Sequence, residues 1–164
     1  MVRRLILATF ASLGAVLLFL GVAVAAEGRS ATTYTASLTA VEPAATTAGV
    51  PDVIGSARLV DGEKSNDVKL HMRNLAPNTI YLWHVHEGTC AATGAPVAGW
   101  TYRTQAGANG TLSSDDSGNA NTSGTSASFN ADPTKSYSVN VHVAAATNGP
   151  PAGTIIACGD LTAN

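Results

Sequence analysis

Three histidines have the residue type and spacing of a metal site. His84 and His86 flank Val85, and His142 lies in a later segment of similar character. In a β-strand, residues two apart point to the same face, so two imidazoles can hold one ion, and a third from another strand can complete a planar or T-shaped nitrogen set. Such a set suits copper, which binds these sites more tightly than other divalent first-row metals. At this point, histidines with no ligand role remain the alternative.

Zinc is not the expected occupant, because it usually takes a fourth ligand in tetrahedral geometry and the sequence has no second cluster of Asp and His. His71 is the one other histidine. We expect it to be a solvated or hydrogen-bonded strand residue, and we expect Glu87 to be solvated. The sequence identifies neither a catalytic residue nor a binding site for an organic cofactor.

Alternation assigns the faces of the two strands that carry the histidines. The apolar set of the first strand is Tyr81, Trp83 and Val85. The apolar set of the second strand is Tyr137, Val139, Val141 and Val143. Because these sets should face the core, His84, His86 and His142 are expected to point away from it. The predicted copper site therefore lies on the surface.

Short segments rich in β-branched and aromatic residues recur along the chain, separated by turn-forming residues. They are 33–41, 53–60, 67–75, 80–87, 110–112, 119–129, 136–144 and 153–161. No long segment has helical periodicity. Eight or so strands without helices predict an all-β fold, an antiparallel sandwich or barrel. The interval 90–109 is interpreted as a long surface loop, either functional or a plain connector.

The amino terminus has the pattern of an export signal. Arg3 and Arg4 precede an apolar run over 5–24 that ends in small residues. This pattern predicts a signal peptide over 1–26, with an uncleaved anchor as the alternative. Residues 27–164 then form one domain, either secreted or periplasmic, with no membrane partner after cleavage.

The net charge and the cysteine content limit the classes of binding partner and the cellular compartment that we expect for this chain. Residues 27–164 contain seven Lys and Arg against eleven Asp and Glu, a net charge near −4, so neither nucleic acid nor anionic lipid is an expected partner. The two cysteines, Cys90 and Cys158, would meet an oxidising compartment in an exported protein. An even pair there predicts one disulfide, with two free thiols as the alternative.

Several stretches resemble the Cu/Zn superoxide dismutase family. They are His84-Val85-His86-Glu87 with Cys90 close behind, Val141-His142, and Ile156-Ala157-Cys158-Gly159. Segments 67–77 and 115–120 are similar to the strand and turn before the copper motif and to a later hairpin. The resemblance implies an eight-stranded antiparallel Greek-key β-barrel of the sandwich class. It also implies copper ligands at His84, His86 and His142, and a disulfide between Cys90 and Cys158.

The chain departs from that family in its metal ligands. It has no histidine between His86 and His142, so the bridging histidine and the zinc ligands are missing. Ile155 stands where the family has an arginine that guides superoxide, and such a loss weakens electrostatic focusing. Residues 137–142 leading into 150–153 resemble the CHRD domain, a family without a settled catalytic role.

These features leave three candidate functions. The first is dismutation of superoxide at a copper-only site, the second is copper sequestration or handling without turnover, and the third is a CHRD-like interaction domain. Trp100, Tyr102 and Arg103, in the interval 90–109, are candidates for covering the metal or replacing the guiding cation. The sequence leaves enzymatic activity and oligomeric state open.

Overall fold

Runs of β-branched and aromatic residues form the strands of the structure, a computed structural model that describes residues 30–63, 66–102, 110–144 and 153–164. These residues contain ten strands and one helical turn, Ala44–Thr47 (α1). The strands are β1 (Thr32–Ala40), β2 (Ile54–Asp61), β3 (Asn66–Arg73), β4 (Ile80–Thr89), β5 (Ala92–Pro96), β6 (Thr101–Tyr102), β7 (Gly110–Ser113), β8 (Ala120–Ser126), β9 (Tyr137–Val143) and β10 (Ile155–Ala163). The all-β prediction is confirmed. The predicted signal peptide, 1–26, lies outside the described residues.

The strands pair in an antiparallel sheet in the order β5-β4-β9-β10-β1-β2-β3-β8-β6, and β7 also pairs with β4. The sheet curls into a half-barrel. β7 and β8 meet where the Thr122 hydroxyl donates a hydrogen bond of 3.4 Å to the carbonyl of Thr111. The curl brings strands far apart in the sequence around one shared core.

The core follows from alternation along the strands. β3 is the clearest case, since Val68, Leu70 and Met72 are buried while the residues between them are exposed. In β4, near the other end of the strand order, Trp83 and Val85 are fully buried, as their alternation predicts. Apolar burial of this kind contributes about 25 cal/mol for each Å² removed from water.

The interval 90–109 is not wholly a loop. Ala92–Pro96 forms β5, which pairs with β4 through Gly88 opposite Thr93 and Thr89 opposite Ala92, and Thr101–Tyr102 forms β6 beside β8. The prediction was wrong here because Ala, Gly and Pro have low strand propensity. Backbone pairing with the edge of β4 outweighs that propensity.

A disulfide joins Cys90, directly after β4, to Cys158 in β10. The backbone amide of Cys90 also donates a hydrogen bond of 2.6 Å to the Asp160 carboxylate. The disulfide therefore anchors the segment that follows β4 to β10, which lies two strands away from β4 in the sheet. Within the described residues, no helix is long and apolar enough to cross a membrane.

Removing the disulfide should destabilise the fold. The cysteines are separated by 68 residues, and a closed loop of that length predicts a loss of about 4 kcal/mol in the free energy of unfolding. Urea unfolding of the Cys90→Ala/Cys158→Ala protein measures this loss. Wild-type protein reduced with a thiol should show a similar loss. An unchanged free energy of unfolding in both samples would contradict the prediction.

Candidate metal centre

The three histidines lie on two strands that are direct neighbours. β4 and β9 pair antiparallel, with Leu82 opposite His142, His84 opposite Asn140, and His86 opposite Ser138. Directly opposed residues of an antiparallel pair point to the same face. His84, His86 and His142 therefore share a face of the sheet, as alternation in the sequence indicates.

The imidazole rings converge. His84 and His142 are stacked, with ring centroids 4.4 Å apart and planes 13° apart. His86 is tilted against both, at centroid distances of 4.4 Å from His84 and 5.6 Å from His142. One ring nitrogen from each histidine lies within 4.8 Å of the others. Because metal–imidazole bonds measure about 2.0–2.1 Å, small side-chain adjustments would bring all three nitrogens onto one ion.

The site is buried, and the prediction of a surface site was wrong. His84, His86 and His142 are 7%, 6% and 5% exposed. Alternation shows which face a side chain occupies, but not whether another segment covers that face. Every residue of β9 is buried, on both faces of the strand. Gly94 of β5 and Gly153, shortly before β10, lie against the His86 and His142 rings on this face.

Two backbone carbonyls orient two of the rings. Nδ1 of His86 donates a hydrogen bond of 2.8 Å to the carbonyl of Gly94, and Nδ1 of His142 donates one of 2.8 Å to the carbonyl of Gly153. These bonds place the proton on Nδ1 and leave the Nε2 lone pair free. Carbonyl groups that fix a histidine tautomer in this way are typical of metal sites.

The two glycines that supply these carbonyls were missed in the sequence. A Cβ on Gly94 would lie 2.8 Å from the carbonyl oxygen of Glu87, so only glycine allows β5 to approach β4 so closely. Gly153 has a φ of +84°, a conformation that favours glycine. In the sequence, the two glycines differ from others only in lying in turn-rich segments. Glycine is too common in such segments for this to identify them.

The free nitrogens have no protein partner. His84 Nδ1, His86 Nε2 and His142 Nε2 are buried and make no hydrogen bond. Burial, reinforced by the charges that His142 and His86 would carry, lowers the pKa of His84 to about 4. Burial also lowers the pKa of His142, against the opposing effect of its bond to Gly153. The His84 and His142 rings are therefore neutral at pH 7, the form that binds metal.

Two further polar side chains lie beside the rings. Ser138 and Asn140 are fully buried opposite His86 and His84. Ser138 Oγ and Asn140 Nδ2 make no hydrogen bond, which is uncommon for buried polar atoms. Alternation along β9 places both residues on the same face as His142.

Other residues singled out in the sequence lie away from the rings. His71 is exposed on β3, where its Nδ1 hydrogen-bonds to Oδ1 of Asn121. Glu87 is exposed as expected, and it also forms an ion pair of 2.9 Å with Lys135.

Trp100 is buried against Phe129, with ring centroids 5.2 Å apart, and belongs to the core. Of the other two candidates for covering the metal, Tyr102 contributes to β6 and Arg103 lies outside the described residues.

Ile155 is the cross-strand partner of His142 and is partly exposed. The position at which the sequence comparison placed a missing arginine is therefore adjacent to the candidate centre. A second group of potential ligands among the described residues contains Cys90, Cys158 and Asp160. Its two sulfurs are joined in the disulfide, so they are not thiolate ligands.

A search against protein-family models and a search of curated proteins both find no match to this chain. The case for a metal centre therefore depends on its own geometry. Three convergent, largely buried imidazoles with free nitrogens can hold a metal ion. Imidazole suits copper, zinc, iron and nickel, so the geometry alone does not select among them.

The lowered pKa of His84 predicts how stability of the metal-free protein depends on pH. An unfolded histidine binds its proton near pH 6.5, whereas folded His84 resists protonation until about pH 4. The unfolded state binds more protons in this window, so the free energy of unfolding should fall as pH is lowered through it. The lowered pKa of His142 also makes the free energy of unfolding fall as pH is lowered.

Urea unfolding in the presence of a chelator, at several pH values between 7.5 and 4.5, measures this slope. His84→Gln should make the slope shallower, whatever its effect on stability at pH 7.5. If the variant and the wild-type protein lose the same free energy over this range, His84 is not the group responsible.

Proposed function

We propose that this protein is an exported copper-binding protein of the superoxide dismutase type, with one copper ion held by His84, His86 and His142. The observation that carries the proposal is the convergence of three imidazoles, each of which has a buried ring nitrogen without a hydrogen-bond partner. Leaving such groups unpaired costs about 1–3 kcal/mol each. A bound cation would supply the missing partner to all three.

The donor set favours copper over zinc. The described cluster contains three imidazoles, with no carboxylate or free thiolate among them. Structural zinc sites almost always have four protein ligands in tetrahedral geometry. Copper accepts three nitrogens in a planar or T-shaped arrangement, and it stands highest in the affinity order for divalent first-row metals. The expectation that zinc is absent stays a prediction.

The strand arrangement supports a barrel of the superoxide dismutase type. Consecutive strands β3 and β4 are not neighbours; β3 pairs with β8, and β4 pairs with β9. Connections that join strands far apart in the strand order are typical of Greek-key folds. The disulfide that joins the segment after the histidine pair to β10 lies where the resemblance predicts it. It is also consistent with an extracellular or periplasmic location.

Superoxide dismutation is the second candidate function. Copper held by His84, His86 and His142 would supply one-electron redox chemistry, by which one superoxide would be oxidised to O₂ and a second reduced, with two protons, to H₂O₂. His86 and His142 would be held in position by the Gly94 and Gly153 carbonyls. The partly exposed Ile155, which is paired with His142, makes this candidate testable, because a cation introduced there would lie beside the candidate centre.

Copper binding should depend on all three histidines. We expect one copper ion per mature chain, with a spin-resonance spectrum typical of nitrogen ligands. His142→Gln should lower copper affinity by about 10²-fold or more, because it removes one of three ligands and leaves two. Metal titration followed by spin resonance measures both quantities.

The matched control is His71→Gln, which removes the exposed histidine of β3 and should leave stoichiometry and spectrum unchanged. Unaltered copper coordination in the His142→Gln protein would contradict the three-histidine site. Zinc bound more tightly than copper would contradict the choice of metal.

An arginine at the Ile155 position should accelerate dismutation if the copper site turns over. Electrostatic focusing raises the encounter rate with an anion by about tenfold or more, and this gain falls as ionic strength rises. We expect Ile155→Arg to show such a gain in pulse radiolysis, and Ile155→Gln to show none. Rates for both the wild-type and Ile155→Arg proteins that do not exceed that of copper–histidine complexes would exclude dismutation and leave copper binding intact.

A further inference from the structure

A cluster of cationic side chains lies on the outer face of β2 and β3. Arg58, Lys69 and Arg73 are exposed on this face together with His71. Arg58 is directly opposite Lys69 in the strand register. Lys69 and Arg73 are four residues apart on β3, a distance of about 13 Å along an extended strand. We call this surface the cationic face.

The cationic face carries an excess of positive charge, because Asp67, two residues from Lys69 on the same face of β3, is the one carboxylate exposed on β2 and β3 beside the three cations. Directly opposed like charges destabilise an antiparallel pair, yet Arg58, Lys69 and Arg73 form no ion pair with any described residue. Arg58 instead donates a hydrogen bond of 3.3 Å to the Thr33 hydroxyl. The arrangement stands out in a chain whose formal net charge is −2.

Two shallow cavities, of about 690 and 400 Å³, lie on this face and share Ser56 and His71 as lining residues. Together they extend from Thr162 of β10 to Asn121 of β8. Four strand spacings separate these two strands, a distance of about 19 Å. Hydroxyl groups of Thr35 and Ser37 line the smaller cavity. The surface is therefore an elongated groove with cations and neutral hydrogen-bonding groups along it.

We propose that the cationic face binds an extended anionic polysaccharide, a chain that carries sulfate or carboxylate groups. Charge complementarity to Arg58, Lys69 and Arg73 supports an anionic ligand, and the length of the groove supports a polymer. The hydroxyl and amide groups match the many hydrogen-bonding groups of a sugar chain.

The composition of the groove argues against two other polyanions. Single-stranded nucleic acid binds through aromatic side chains on which bases stack, and no Phe, Tyr or Trp is among the described residues that line either cavity. Binding to a lipid surface normally includes buried apolar side chains. Ile54, which is 47% exposed, is the one large aliphatic side chain lining these cavities apart from buried Met72.

This inference does not depend on the proposed copper site. In the strand order, β10 and β1 separate β9 from β2 and β3, so the cationic face and the histidine cluster occupy different parts of the barrel. Variants of the cationic face should leave copper stoichiometry unchanged. Failure of one proposal is therefore distinguishable from failure of the other.

Calorimetric titration of the mature protein with a short dextran sulfate chain, at several salt concentrations, tests the proposal. We expect saturable binding that neutral dextran of the same length does not show. The logarithm of the binding constant should fall linearly with the logarithm of salt concentration, and each removed cation should reduce that slope by about one. Arg58→Gln/Lys69→Gln should therefore reduce the slope by about two.

Lys135→Gln is the matched control, because it removes an exposed cation that lies elsewhere and pairs with Glu87; affinity and slope should not change. If the double variant does not fold, Arg73→Gln should still reduce the slope by about one. Equal affinity of the variants and the wild-type protein would overturn the proposal, as would equal binding of neutral dextran. Tighter binding of single-stranded DNA or of anionic vesicles would overturn the choice of a polysaccharide.

Discussion

The antiparallel register between β4 and β9 determines whether the three imidazoles can meet. Leu82 lies opposite His142 and His84 opposite Asn140, which makes His84 and His142 diagonal neighbours on one face. A shift of one residue would move His142 to the core face and Val141 to the histidine face. The fully buried Val139 and Val141 oppose such a shift of β9, because both would leave the core face that they share with Trp83 and Val85 of β4. The apolar core on one face of this strand pair thus sets the geometry of the polar site on the other.

Much of the fold and part of the site could be predicted from the sequence. The alternation around Trp83 and Val85 gave the core face correctly, and all eight predicted segments overlap observed strands. The burial of His84 was not predictable, because it depends on which distant segments cover the outer face. The roles of the Gly94 and Gly153 carbonyls were not predictable either, because every residue has a backbone carbonyl and only the folded chain shows which of them meet the rings. Pairing of β5 with β4 likewise depends on a free sheet edge rather than on the residues of β5.

Burying the histidine cluster has an energetic cost that the rest of the fold must offset. The rings of His84, His86 and His142 leave one nitrogen each without a partner, and Ser138 and Asn140 add further unpaired atoms beside them. Groups of this kind persist where they serve a ligand or where the core is stable enough to carry them. A ligand that binds only the folded state would raise the free energy of unfolding and so offset part of this cost. Binding of a metal ion by these histidines would therefore be coupled to folding.

The described cations attract anions to the cationic face more strongly than to the histidine cluster. Arg58, Lys69 and Arg73 lie together on the outer face of β2 and β3, whereas Lys135, near the end of β9, is paired with Glu87. An apolar side chain, Ile155, is paired with His142 in the strand register. Among the described residues, long-range attraction by these cations thus favours anions at the cationic face and gives little assistance to a small anion approaching the histidines. A site with three good nitrogen donors and weak steering is better suited to retaining a metal ion than to turning over superoxide at a diffusion-limited rate.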